Sequence, residues 1–84
     1  MSGGGAWVSL RELDERLGQP KGTAFRAFRR AGLVEGRDFR VLERARDGDE
    51  IAALRAAGRI YRSSVNVILL SSAAADRLAR SLRA

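Results

Sequence analysis

With 84 residues and a formal charge of +6, the chain has room for one modest core and a surface that attracts polyanions. It contains no Cys and no His. That excludes disulfides, thiolate ligands, thiol nucleophiles, and the commonest metal ligand and general base. A hydrophobic fraction of 45% is ordinary for a folded protein and argues against disorder.

No enzyme, cofactor or metal is expected from this composition. Met1–Ala6 lacks the apolar stretch of a signal peptide. The longest apolar run, Val67–Leu70, is far too short to span a bilayer. A cytoplasmic protein without membrane contact is the expectation. Lys21 is the one Lys among 16 basic residues, and Arg, Ala and Gly all have GC-rich codons. The placement of charge therefore says more than its total. Residues 1–34 carry +3, residues 35–50 carry −2 and residues 51–84 carry +5. Between Gly18 and Val34 stand Lys21, Arg26, Arg29 and Arg30 with no acid among them.

Residues 1–7 read as a flexible N-terminal segment and residues 8–84 as a single domain. Trp7 is expected to pack over the first helix. Ser9-Leu-Arg-Glu12 is a capping box, in which hydroxyl and carboxylate each accept from an otherwise orphaned backbone N–H. Val8 and Leu13 have the spacing of a hydrophobic staple. Leu10, Leu13 and Leu17 line one face of the helix, which Gly18 ends. Gln19-Pro-Lys-Gly22 is a turn. Thr23 is placed as the cap of a second helix, Ala24–Ala31, closed by Gly32. Its periodicity puts Phe25 and Phe28 on a core face, with Ala24 and Ala31 beside them, and Arg26, Arg29 and Arg30 on the opposite stripe.

Leu33-Val34 is an apolar plug. Asp38–Leu42 reads as a short strand, with Phe39 and Val41 on one side. Asp47-Gly48 is a turn signal. Beyond it, Ile51–Ala57 is expected as a short helix with Asp49 as a possible cap, unless Asp47-Gly48 closes a hairpin instead. Arg59–Arg62 and Asn66–Leu70 read as strands. Ser71 or Ser72 caps a last helix running to about Leu82. The fold class is thus α+β: a helix-turn-helix, then a small antiparallel sheet and a C-terminal helix.

Residues 9–31 suit the chemistry of DNA recognition. The major groove admits one α-helix, and an Arg fork bonds guanine bidentately. The second helix's N-terminal amides, together with Lys21, are expected to hold a phosphate.

The chain resembles winged helix-turn-helix domains of the mercury-resistance-regulator and phage excisionase type. The resemblance rests on Val8-Ser-Leu-Arg-Glu-Leu13, Leu17-Gly18, Thr23-Ala-Phe-Arg26, Ala31-Gly-Leu33 and Gly58-Arg-Ile-Tyr-Arg62. It is also similar to N-terminal domains of phage antirepressors in Gly36-Arg-Asp-Phe39 and Ile68-Leu-Leu-Ser71. This implies a recognition helix at residues 23–31 and a wing near the strands. The sequence departs from the pattern in its longer turn, Gly18–Gly22. Asp14 stands where a small Ala is usual. Phe25 is unusual for a DNA-facing position and is therefore assigned to the interior.

The expected function is a DNA-binding transcriptional regulator of bacterial or phage-like type. Arg26, Arg29 and Arg30 would meet the major groove, Lys21 and Thr23 would anchor phosphates, and Arg37, Arg59 or Arg62 would steady the wing. Its partner would be double-stranded DNA. A homodimer is a possible second partner, because the apolar segment Val65–Leu70 would favour pairing if it lay at a sheet edge. The alternatives are a solvated helix face and an adaptor whose Arg stripe meets an acidic protein. Ser63-Ser64 and Ser71-Ser72 read as turns and caps. Asp47, Asp49 and Glu50 lack the further ligands of a calcium loop.

Overall fold

The first helix begins where the capping box places it. Glu12 N–H donates to Ser9 Oγ at 3.1 Å and Ser9 N–H donates to Glu12 Oε1 at 2.9 Å. The computed structural model describes residues 7–62 and 66–83. The order is β1 (Val8–Ser9), α1 (Leu10–Arg16), α2 (Thr23–Arg30), β2 (Phe39–Leu42), α3 (Arg44–Ala56), β3 (Val67–Leu70) and α4 (Ser72–Arg83). The fold is α+β, with a three-stranded antiparallel sheet and four helices, the last of them C-terminal, among the described residues.

The sheet order is β1-β3-β2. β3 is therefore the central strand, not an edge. It pairs antiparallel with β1 through Val8↔Leu70 and with β2 through Phe39↔Leu70 to Leu42↔Val67. The placement of Val65–Leu70 at an edge, and the dimer contact built on it, is corrected here; Val65 itself lies outside the described residues. The physical reason lies in the neighbours of β3, because β1 and β2 each pair with one side of it. A strand covered on both faces reads as a continuous apolar run, and Val67-Ile-Leu-Leu70 is one. Ile68 and Leu70 face a cluster formed with Val8, Leu13, Ala24, Ala75 and Leu78. Val67 and Leu69 face a second cluster with Leu42, Ile51, Leu54 and Ile60. The sheet thus separates a layer of α1, α2 and α4 from a layer formed by α3.

Four local expectations need correction. Arg59–Arg62 forms no strand, because Arg59 turns inward to Glu12 and the Ser9 hydroxyl takes the Arg59 carbonyl as its acceptor. A two-residue strand, Val8–Ser9, takes the sheet position next to β3 instead. The helix expected at Ile51–Ala57 starts earlier, at Arg44, and the Asp47-Gly48 turn signal survives as a kink. Asp47 has φ −118° and ψ 29° inside α3, and its carboxylate accepts from Glu43 N–H at 3.0 Å. Asp49 is exposed and caps nothing. Trp7, assigned above to the flexible segment and to the first helix, packs against the second cluster with Arg40 over its ring at 5.5 Å. The remaining residues of that segment, and Ser63-Ser64, lie outside the described residues.

The last helix forms as expected. Ser71 Oγ accepts from Ala74 N–H at 3.1 Å, and Ala74, Ala75, Leu78 and Ala79 are its buried residues.

Candidate functional site

The joint between α1 and α2 is made by Asp14. This residue is only 1% exposed. A buried carboxylate is costly unless its oxygens are hydrogen-bonded, and here they are. Oδ1 accepts from Ala24 N–H at 2.8 Å, and Oδ2 from Gly22 N–H at 3.2 Å and from the Tyr61 hydroxyl at 2.6 Å. Asp14 therefore acts as the N-terminal cap of α2 from another helix. Its negative charge also lies at the positive end of the α2 dipole, while Arg29 and Arg30 lie in the last turn.

This geometry corrects two expectations. Thr23 is not the cap. It is the first helical residue, the cap position is held by Gly22 at φ +94°, and no side chain of that residue is available to bond. The left-handed backbone at Gly22 calls for glycine, whereas a Cβ there would meet only the movable end of Arg26, Nη1 at 3.1 Å. Nor are the first amides of α2 open to a phosphate. Gly22 and Ala24 donate to Asp14, and Thr23 N–H donates to the Pro20 carbonyl at 3.2 Å.

α2 turns a different face inward from the one its aromatics suggest. The buried residues are Ala24 and Ala27, with Phe28 and Ala31 partly buried beside them. Phe25 is 41% exposed. The cause is close packing. The first cluster is built around Ala24, Ala27, Ala74, Ala75 and Ala79. Such small side chains let helices approach to a distance at which a Phe ring has no room. Phe28 escapes the conflict by meeting Phe39 edge-on, with centroids 4.8 Å apart and planes at 88°.

The outer face of α2 consequently carries Phe25, Arg26, Arg29 and Arg30, all exposed. Arg29 lies over the Phe25 ring at 5.9 Å. Arg26 leans back toward Thr23 Oγ1, at 3.5 Å. Lys21 lies over the Tyr61 ring at 5.0 Å, and Arg11 lies over the same ring at 5.6 Å. Phe25 also borders a cleft of about 230 Å³, lined by Leu10, Tyr61, Val67 and Ile68 among others. Among the described residues, no salt bridge involves Arg26, Arg29 or Arg30.

Two of the other arginines singled out in the sequence are engaged in ion pairs. Arg37, in the turn before β2, pairs with Asp38 at 2.9 Å; that pairing raises the guanidinium pKa and lowers the carboxyl. Arg59 is held within the structure. It donates to Glu12 Oε1 and Oε2, both at 3.1 Å, and to the Trp7 carbonyl at 2.8 Å. Burial pushes the Glu12 carboxyl up, but the bonds from Arg59 and Ser9 outweigh it and hold the group below its ordinary value. The structure therefore groups Lys21, Thr23, Arg26, Arg29 and Arg30 and engages Arg37 and Arg59 in ion pairs of their own, while Arg62 is exposed next to Tyr61.

Asp14, Tyr61 and Phe25 were not recognised as site residues in the sequence. For Asp14 the signal was present: an acid placed where helix packing favours Ala needs a partner, and the capless Gly22 ahead of α2 supplies one. Among the described residues, no group of three or more acidic side chains has the arrangement of a metal site, and no helix is long and apolar enough to cross a membrane. Comparison finds no matching family model, and no match among curated proteins or solved structures.

Proposed function

We propose that this protein is a DNA-binding regulator that presents α2 to the major groove of duplex DNA. The observation carrying this reading is the outer face of α2, where Arg26, Arg29 and Arg30 are exposed and outside every salt bridge among the described residues. On an ordinary solvated helix face, acids interleave with bases. A helix with three exposed guanidinium groups on its outer side fits a groove lined by guanine acceptors and phosphates. Lys21 and the Thr23 hydroxyl sit at the start of the same helix and would contact the backbone there. Asp14 contributes by fixing the angle at which α2 leaves the turn.

The test is binding to random duplex DNA at two salt concentrations, followed by site selection from a random pool. The expected outcome is affinity that falls steeply with salt, by a slope near −0.9 per phosphate contact, and an enriched motif containing guanine. Salt-sensitive binding with no motif would reduce the surface to a general polyanion binder. No binding at low salt would favour an acidic protein as partner.

A further inference from the structure

Phe25 is an exposed aromatic ring on a face that is otherwise cationic. A Phe residue still 41% exposed forgoes about 1 kcal/mol of burial, and the core has refused it a place. The ring occupies the third position of α2, in the N-terminal half from which a groove-bound helix reaches base edges. Arg29, one turn on, covers part of it at 5.9 Å, and Arg26 is the next residue in the chain. On one side of the helix, then, an apolar ring is flanked by two planar hydrogen-bond donors.

In the major groove, the apolar feature a Phe ring can meet is the C5-methyl group of thymine, and the acceptor pair an Arg fork fits is guanine O6 and N7. We propose that Phe25 determines specificity by packing on a thymine methyl, next to guanines engaged by Arg26 and Arg29. The inference rests on the DNA-binding reading above and adds the class of site it selects. The four-residue step from Phe25 to Arg29 is about 6 Å along the helix, and base pairs are spaced about 3.4 Å apart. The thymine and the guanine should therefore lie within about two base pairs of each other.

The experiment uses the full chain and the selected duplex. Each thymine in turn is replaced by deoxyuridine, which removes the methyl and leaves base pairing unchanged. At one position the wild-type protein should bind about fourfold more weakly, as expected for the loss of one buried methyl contact. Phe25→Ala should bind the thymine and deoxyuridine duplexes equally, while Phe25→Leu keeps a difference. Because the substitution is in the DNA, the wild-type result does not depend on any variant folding. A selected motif bound equally well with and without every thymine methyl would overturn the role of Phe25 and leave the DNA-binding reading standing. Tighter binding to the single strand than to the duplex would overturn it in favour of base stacking on the ring. Failure to bind any duplex would overturn both.

Discussion

The Tyr61 hydroxyl donates a 2.6 Å hydrogen bond to Oδ2 of Asp14. Forty-seven residues separate the two in sequence, yet this contact ties the segment after α3 to the joint between α1 and α2. With the amides of Gly22 and Ala24 on the same carboxylate, the start of α2 is defined from two directions. The candidate interface is thus positioned by a residue that cannot itself touch a partner.

Asp14→Ala should lower the unfolding free energy by about 3 kcal/mol, since it leaves two amides and a hydroxyl without their acceptor. Asp14→Asn keeps one acceptor oxygen and should cost roughly half as much. Urea unfolding measures both. An Ala variant as stable as wild type would remove Asp14 from the role assigned to it.

Tyr61 is the chain's only tyrosine, so its phenol can be titrated directly by ultraviolet absorbance. Burial, and then the bond to Asp14, push its pKa from 10.0 up to about 12. A group raised in the folded state favours folding at all pH values below its unfolded pKa. That contribution should be constant up to about pH 10 and decline as the pH rises toward about 12. A transition near 10 in the folded protein would contradict the Asp14 bond.

At the acid end the relevant group is Glu12, whose carboxyl is held below its ordinary value of 4.5. A depressed carboxyl favours folding above its unfolded pKa, and the contribution is lost as the pH falls through the folded value. Stability should therefore decline on acidification below about pH 4.5, and Glu12→Gln should flatten that decline. The Arg59 and Glu12 side chains are 40% and 33% exposed, so solvent screening keeps the pair to about 1 kcal/mol or less. Arg59→Ala should lower the thermal midpoint while leaving any selected DNA motif unchanged.

Arg26→Ala combined with Arg29→Ala should abolish sequence-specific DNA binding with circular dichroism unchanged, because both side chains are exposed. Arg30→Ala should weaken binding, and Arg37→Ala should change it little because Arg37 is already paired with Asp38. A double variant that binds one selected site as well as wild type would end the assignment of α2 as the reading helix.

Much of the helical layer was legible in the sequence. Ser9 and Glu12 are found in their capping box, Gly18 and Gly32 end their helices at positive φ, and Ser71 caps α4. What escaped was decided by packing at a distance. Phe25 and Ala24 are adjacent, so hydrophobicity alone turns α2 toward the larger ring, whereas the alanine-lined helix contact admits only the smaller side chain. Arg59 sits in a run with strand-like alternation, but an ion pair and a backbone acceptor 47 and 52 residues away outweigh that preference. Val67–Leu70 has the same apolar composition at an edge or at the centre, and only the partner strands distinguish the two.

The division of the core by the sheet gives the molecule two internal optical reporters. Trp7, the one tryptophan, sits with the α3 layer beneath Arg40, whereas Tyr61 answers to Asp14 at the joint of the helix pair. Indole fluorescence and phenol absorbance therefore follow different halves of the same small protein. If the halves melt as one cooperative unit, the two signals fall on a single curve. If α3 and its cluster open first, the indole signal moves while the helix pair and the arginine face remain in place.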